Sequence, residues 1–477
     1  MKNILREYKV YCRVVLWLVS FSLLLNACKL NDEVGFSGGD LAFSTDTIMV
    51  DTLFADHASK VYNLKVYNPS DKNLLVHHVS LQGGDNSVYK VNVDGMSGSS
   101  FQDISILPKD SLFLFIKAKF PSSENSAPIL MKDSIFFKTD MGTAKVLLIG
   151  WNQNFERIPS FTDTKTVLKS DKPYLVSKMV EVPVSHELIV KAGTQLYFDL
   201  DAGVNVKGRV IVEGTSDSFV QFYTSNRDTM YRDVANQWKG LYFASTSRDN
   251  KMSWCDIRNA NSGCVFEEGS SAKLDHLKME KMTWTGIQAT NASLHVSNSL
   301  IADVRYYAVL LQGGGDYFFD CCTLTNFNSP NLNGFRTNAS LFITDNIEKE
   351  EKSAVADFHS LVWRNSIVEG PFYNEVEIVD SESAQKVVQF EHCLLRCDFK
   401  ALNLQKEQTE GSMVSDRNTF IDNGKANYHL SEKSLAKGLG IYTESYSNLD
   451  LDGLQRGEGS RYDVGCYRWT IPKKEEK

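Results

Sequence analysis

The sequence predicts an all-β protein in two parts, an antiparallel β-sandwich over residues 41–151 and a solenoid of stacked β-coils over residues 182–470. Short β-forming runs recur in the second half about every twenty residues, a period too short to enclose a core alone and therefore one that must stack. Trp254, Leu274 and Leu294 stand at equal intervals, and each opens such a run. Ahead of residue 151 the pattern changes to alternating runs divided by turn residues, the mark of antiparallel strands. At 477 residues the chain exceeds the usual size of one core, and its 42% apolar and 23% charged content is that of a folded protein.

In chain order, residues 1–27 read as an export leader and stand outside the fold. Lys2, Arg6, Lys9 and Arg13 form a basic start, and residues 14–25 are apolar. That stretch has the length of a signal-peptide core and is short for a membrane span. It ends in Leu25-Asn26-Ala27-Cys28, which resembles the lipobox of bacterial lipoproteins. The resemblance implies that Cys28 is the lipidation site and first mature residue, carrying diacylglycerol on sulfur and an acyl chain on its amino group. Several acyl chains hold a protein to a membrane far more firmly than one. A plain secretory signal with an incidental cysteine is the alternative. The following Lys29-Leu30-Asn31-Asp32-Glu33 is similar to the export signal of surface-displayed lipoproteins of the Bacteroidetes. It implies an outer-membrane protein facing outward, with residues 28–40 as a tether and 471–477 as a charged tail.

Removing the leader takes a net +3 from a formal charge of −8 and leaves −11. An acidic chain without a basic run disfavours nucleic acid, whose phosphates need a cationic surface. Of nine cysteines, Cys255, Cys264, Cys321, Cys322, Cys393, Cys397 and Cys466 fall in the repeat half, mostly inside apolar runs. That setting favours buried free thiols over disulfides, and the spacings lack the paired CxxC of a zinc site.

In the sandwich the strands are expected at 61–67, 74–79, 89–93, 112–119, 135–138 and 145–149. Asn68-Pro69-Ser70 and Asp94-Gly95 make turns, while Asp110-Ser111 and Asp133-Ser134 each introduce a strand. This spacing suits an immunoglobulin-like β-sandwich. Residues 152–181, with two prolines and little periodicity, read as the connection between domains.

The coils then run through 188–194, 196–198, 204–208, 210–215, 220–223 and 237–243, with Gly-Thr corners at Gly193-Thr194 and Gly214-Thr215. Later units include Trp254-Cys255-Asp256-Ile257, Asn298-Ser299-Leu300-Ile301, Trp363-Arg364-Asn365-Ser366-Ile367 and Asn418-Thr419-Phe420-Ile421. The order of strands and corners resembles right-handed parallel β-helix proteins of the pectin-lyase-like superfamily. Asp450-x-Asp452-Gly453-x-x-Arg456, followed by Asp463-Val464-Gly465-Cys466-Tyr467, is similar to the terminal signature of many bacterial members.

Enzymes of that superfamily usually act on acidic polysaccharides, and hydrolysis needs clustered carboxylates to protonate the leaving oxygen and activate water. The chain has no Asp-Asp pair, Gly-His-Gly or Arg-Ile-Lys segment, nor the pectate-lyase Trp-Ile-Asp-His and Arg-x-Pro-x-x-Arg segments. The sequence therefore leans away from catalysis, toward a non-catalytic platform for glycan or an outer-membrane protein assembly. A divergent polysaccharide lyase or glycoside hydrolase is the alternative.

The residues that could bear chemistry have plainer readings beside them. Arg336 in Asn333-Gly334-Phe335-Arg336 could act as a base or be a solvated turn. Glu267-Glu268 and Asp199 with Asp201 could hold a hard cation or be exposed turn acids. His77 and His78 point to opposite sides of a strand, whereas His276, His295 and His392 could line one face. Trp238, Trp254, Trp284 and Trp363 offer sugar-stacking faces or fill the interior. No phosphate loop, dinucleotide fingerprint or HExxH is present, so no cofactor or metal is expected.

Overall fold

The computed structural model describes residues 37–38, 41–328, 338–347, 356–442, 448–457 and 461–471. The leader, Cys28, residues 29–36 of the tether and the Arg336 segment lie outside them. The described residues fall into two compact units, one up to residue 122 with 129–152 and one of 123–128 with those from 153 onward. Among the described residues no helix is long and apolar enough to cross a membrane.

The first unit is a sandwich of a six-stranded and a five-stranded sheet. In the six-stranded sheet Tyr62–Tyr67, Ser111–Ala118 and Tyr89–Val93 lie side by side and antiparallel. The five-stranded sheet centres on Ile129–Thr139, between Gly142–Gln153 and Leu74–Leu81. Alternation fixes the core: Leu64, Val66, Leu114 and Ile116 from one sheet meet Val76, Ile135, Phe137 and Val146 from the other. Each such buried side chain contributes about 1.5–3 kcal/mol of transfer free energy. Phe43 packs on Phe137 at 5.0 Å between ring centroids.

Asp133 does not open its strand as the sequence suggests; it sits buried inside Ile129–Thr139. Its carboxylate accepts from the Gly83 amide at 3.1 Å and from the Ser87 hydroxyl, which tie the neighbouring turn to the strand. A buried carboxylate with several donors serves a polar role that alternation in sequence does not reveal.

The second unit is a parallel β-helix built on a 23-stranded sheet that wraps three faces. The first face includes Lys165–Leu168, Glu187–Lys191, Arg209–Glu213 and Phe358–Arg364. The second includes Tyr174–Val176, Gln195–Phe198, Leu300–Ala302 and Ile367–Glu369. The third includes Met179–Val182, Gly203–Val206, Leu241–Phe243 and Leu341–Thr344. Strands of consecutive coils pair in parallel on every face, so backbone bonds run along the stacking direction.

Three sequence expectations need correction. The first coil begins at Lys165, inside the segment read as a connection, because Lys165–Leu168 pairs with residues 187–190 and Tyr174–Val176 with residues 196–198. Stacking ends at Met413–Val414, so Phe420–Asp422 does not continue it but forms an antiparallel pair with Asn427–Leu430. The twenty-residue interval is also misaligned. Leu274 pairs with Met252 and Val296, and Trp254 stands opposite His276, between the Ser253–Asp275 and Cys255–Leu277 pairs. A strand alternates with period two, so a two-residue offset superposes inward positions just as well.

The interior is a column of stacked side chains. Val212, Met252, Leu274, Val296, Phe319, Trp363 and Phe390 follow one another on successive coils of the first face. Phe319 and Trp363 stack with centroids 3.9 Å apart and planes nearly parallel, at 5°. Phe198 and Trp238 stack at 4.2 Å, and Phe243 and Phe266 at 4.4 Å. The seven cysteines of this unit are free and buried, and burial pushes the Cys321, Cys397 and Cys466 thiols up to about 12. Such thiols stay protonated at neutral pH and react poorly.

Between the first and second faces the chain turns on a single residue in the left-handed region. Trp254, His276, Asn298, Cys321, Asn365 and His392 occupy this corner on successive coils, with φ between 47° and 55°. Each costs an L-residue about 1–2 kcal/mol, and side-chain bonds offset it. Asn298 Nδ2 donates to Asp275 Oδ1 at 3.2 Å, and Asn365 Nδ2 to Asp320 Oδ1 at 3.3 Å. The serine after each asparagine repairs the interrupted ladder: Leu277 N donates to Ser299 Oγ and Cys322 N to Ser366 Oγ, both at 3.0 Å. Gly411 ends the series, where a Cβ would fall 2.5 Å from the His392 ring.

Candidate functional site

Coil geometry decides which outer surfaces a partner could reach. On the second face Leu300, Ala302, Ile367 and Leu394 point outward, yet all are buried. Residues beyond the last coil cover them through Phe420, Tyr428, Leu430, Leu451, Val464 and Tyr467. The terminal signature closes this cover. Asp450 Oδ1 accepts from the Asp452 and Leu454 amides, and Oδ2 from the Arg468 amide at 3.0 Å. Both oxygens are thereby used in the turn itself. Arg456, 3% exposed, donates to Asn298 Oδ1, Asp463 O and Gly465 O.

The corner residues receive the same segment. His276 is fully buried, with Nδ1 facing Asp275 Oδ2 at 2.8 Å and Nε2 facing the Leu449 carbonyl at 3.1 Å. Its ring stacks on Trp254 at 3.7 Å. His392 Nδ1 meets the Leu439 carbonyl at 3.0 Å. His276 and His392 thus act as corner posts, while His295 lies outside on the first face; the three histidines do not share a surface.

Under the cover Glu369 is fully buried, with Oε2 accepting from the Ser415 and Thr419 hydroxyls and Oε1 unpartnered. Burial raises its carboxyl above the usual value, with Thr419 and Ser415 opposing. An acid harder to ionise when folded loses stability as pH rises, beginning near the unfolded value of about 4.3 and ending above the raised folded value. Glu369→Gln keeps the polar contacts without the charge. We expect the variant to match or exceed the parent in urea midpoint at pH 7, with the difference vanishing near pH 4.

The first face carries a hollow of about 660 Å³. Lys251, Lys273, His295 and Phe318 follow one another along its floor on successive coils. Ser271 and Ser293 beside them leave room, with Asp249 and Asp316 in the same outer column. Burial pushes the His295 ring below its usual value, against the pull of Asp320, so it is neutral at pH 7 and can donate and accept. Arg364 lies over the Phe318 ring at 4.8 Å.

The acids of this face are poorly disposed for acid/base work. Asp249 and Asp316 stand three coils apart, roughly 14 Å at the usual strand spacing, whereas paired glycosidase carboxylates lie within about 5–9.5 Å. Asp275 and Asp320 are nearer each other but occupied. Burial raises the Asp275 carboxyl, yet bonds from His276, Ser297 and Asn298 overcome this and hold it below its usual value. It therefore remains ionised and is no proton donor at neutral pH. Asp320 is fully buried and paired with Arg364 at 2.9 Å.

A second hollow, of about 610 Å³, lies on the third face and unites Glu267, Glu268 and Trp284. Trp284 is 40% exposed, braced by Tyr306 at 4.9 Å, and its Nε1 donates to Gln288 Oε1. Trp238 and Trp363 fill the interior and Trp254 takes the corner, so of these four tryptophans Trp284 is the one that offers a ring to solvent. Asp199 accepts from Ser225 and Asp201 pairs with Lys239 at 3.1 Å. His77 meets Asp140 at 2.8 Å and His78 meets Ser100 at 2.7 Å, so each ring has its own partner. Among the described residues no three His, Cys, Asp or Glu side chains converge as a metal site. Sequence reasoning missed Lys251, Lys273 and Phe318, whose only signal is their spacing by one coil.

The chain is thus an all-β protein of a sandwich and a parallel β-helix, with two open hollows on the helix. No protein-family profile matches it, and no curated protein matches it. Among solved structures it is similar to the catalytic domain of a GH87 α-1,3-glucanase in complex with nigerose, at 10% identity over 71% of this chain and 82% of that one, with a TM-score of 0.21. It is also similar to PapD-like domain 7 of human CEP192, at 11% identity over 25% of this chain and 88% of that domain, TM-score 0.18. A family 123 glycoside hydrolase from Clostridium perfringens matches at 12% identity over 28% of this chain and 26% of its own length, TM-score 0.18. Likenesses at this level carry no argument about activity, which rests on the chain's own geometry.

Proposed function

We propose that this chain is an outer-membrane lipoprotein of the Bacteroidetes type, anchored through Cys28 and displayed at the cell surface. In this reading its right-handed parallel β-helix is a non-catalytic platform that binds glycan. The observation that supports it is the first-face hollow, where cations, a neutral imidazole and an aromatic ring line a long regular surface without a suitably spaced, available carboxylate pair among the described residues. Successive coils each contribute one of these side chains at the spacing of neighbouring strands, and such an elongated row suits an extended polymer better than a small enclosed ligand. An outer-membrane protein assembly is the other partner such a surface fits. Lys251, on the same strand edge as Asp249 and next to Lys273, favours the second reading, a lyase or hydrolase with divergent residues.

The test incubates the mature chain, residues 28–477, with a panel of polysaccharides and scores both retention and new chain ends. Retention without new reducing or unsaturated ends is expected. Appearance of such ends would replace the platform by an enzyme. For the anchor, Cys28→Ala should abolish incorporation of labelled fatty acid and release the protein from the membrane fraction; continued incorporation would refute it.

A further inference from the structure

The outer side of the six-stranded sandwich sheet is chemically unlike the rest of this acidic chain. Lys65, Lys90 and Lys117 point outward from three adjacent strands, and among the described outward positions of those strands none is acidic. Between them stand Phe113 and Phe115, 46% and 43% exposed although they lie mid-strand. A hollow of about 630 Å³ opens there, lined by Asn63, Lys90, Asn92, Phe115 and Lys117.

Lys90 and Lys117 are directly opposed across the strand pair. Like charges in that position repel and weaken a sheet. A local choice that works against the fold is expected where a surface serves a partner. An anion between the two ammonium groups would turn the repulsion into binding, and the neighbouring Asn63 amide adds a donor.

We infer that this sheet face docks on an anionic lipid surface, with Lys90 and Lys117 taking headgroup phosphates and Phe113 and Phe115 entering at headgroup depth. The inference rests on the lipid-anchor reading for its choice of partner. A tether from Cys28 to Leu41, at no more than about 3.6 Å per residue, keeps the sandwich within roughly 50 Å of the bilayer. Within that reach a face of lysines and exposed aromatic rings has the composition of an interfacial surface. Each lysine near an anionic membrane contributes about 1 kcal/mol, weakened by salt.

The experiment uses the unacylated mature chain, residues 28–477, sedimented with vesicles of phosphatidylglycerol and phosphatidylcholine or of phosphatidylcholine alone. Binding to the anionic vesicles alone is expected, falling with salt. The pair Lys90→Gln and Lys117→Gln should weaken it roughly tenfold or more, and Phe113→Ser with Phe115→Ser should also reduce it. The glutamine pair should melt no lower than the parent, since it removes a repulsion, which separates docking from misfolding. Competition by inorganic phosphate at millimolar concentration without vesicle preference would show a free-anion site and overturn docking. Equal binding to neutral vesicles, indifference to the substitutions, or binding to an acidic polysaccharide in place of vesicles would overturn it as well. Failure of docking leaves Cys28 acylation intact, whereas failure of the anchor is read from fatty-acid incorporation alone.

Discussion

Arg456→Ala is expected to lower the stability of the β-helix unit by about 3–5 kcal/mol. The guanidinium is buried and donates to Asn298 on the corner and to the Asp463 and Gly465 carbonyls on the returning segment. Alanine leaves those acceptors unsatisfied and removes the link between the last coil's cover and the coil beneath. The loss should be local before it is global. Amide exchange should rise first at Leu451, Val464 and Gly465, whose N–H groups bond across the same closure to Cys466, Ala436 and Asn365. Exchange in Glu187–Lys191, on an early coil of the first face, should change least. Arg456→Lys should rescue little, because one ammonium cannot span three acceptors in a fixed plane. An unchanged exchange pattern in Arg456→Ala would remove the closing role assigned to the terminal signature.

The second large effect concerns Trp363. It is fully buried, stacks on Phe319 at 3.9 Å, and its Nε1 has no hydrogen-bond partner. Trp363→Ala should cost about 3–5 kcal/mol through lost contact and the cavity left between two coils. Trp363→Phe should cost much less. Phenylalanine keeps the stacked face and removes a buried donor whose desolvation costs about 1–3 kcal/mol. Urea denaturation of the two variants measures the difference directly; equal losses would mean that ring stacking contributes little to coil cohesion.

Much of the architecture was legible because it is written in local patterns. Short alternating runs gave the sandwich, and apolar runs broken by Gly-Thr corners gave the coils. Asn298-Ser299 and Asn365-Ser366 lie inside units that the sequence marks as coils, and the structure shows each pair to be a corner residue followed by a hydroxyl that mends the backbone ladder. What the sequence concealed depends on contacts between distant residues. The start at Lys165 was hidden because four residues per strand give little periodicity. The cover over the second face was hidden because Phe420 and Tyr428 look like any other strand residues until Ile367 and Leu394 are seen beneath them. The candidate site was the least legible part. Lys251, Lys273, His295 and Phe318 are neighbours only through coil register, and a two-residue error in that register disperses them.

The single-residue corner also determines where this chain tolerates changes in length. Trp254, His276 and Asn298 are separated by twenty-two residues each, whereas later corners at Cys321, Asn365 and His392 are unequally spaced. The surplus enters elsewhere in each coil, as between Thr325 and Leu341. One residue inserted at the corner would invert the inside and outside of the strand that follows, so that edge is closed to insertion. Foreign peptides or epitope tags should therefore be grafted between the second and third faces, where the scaffold already absorbs added sequence without losing its stack.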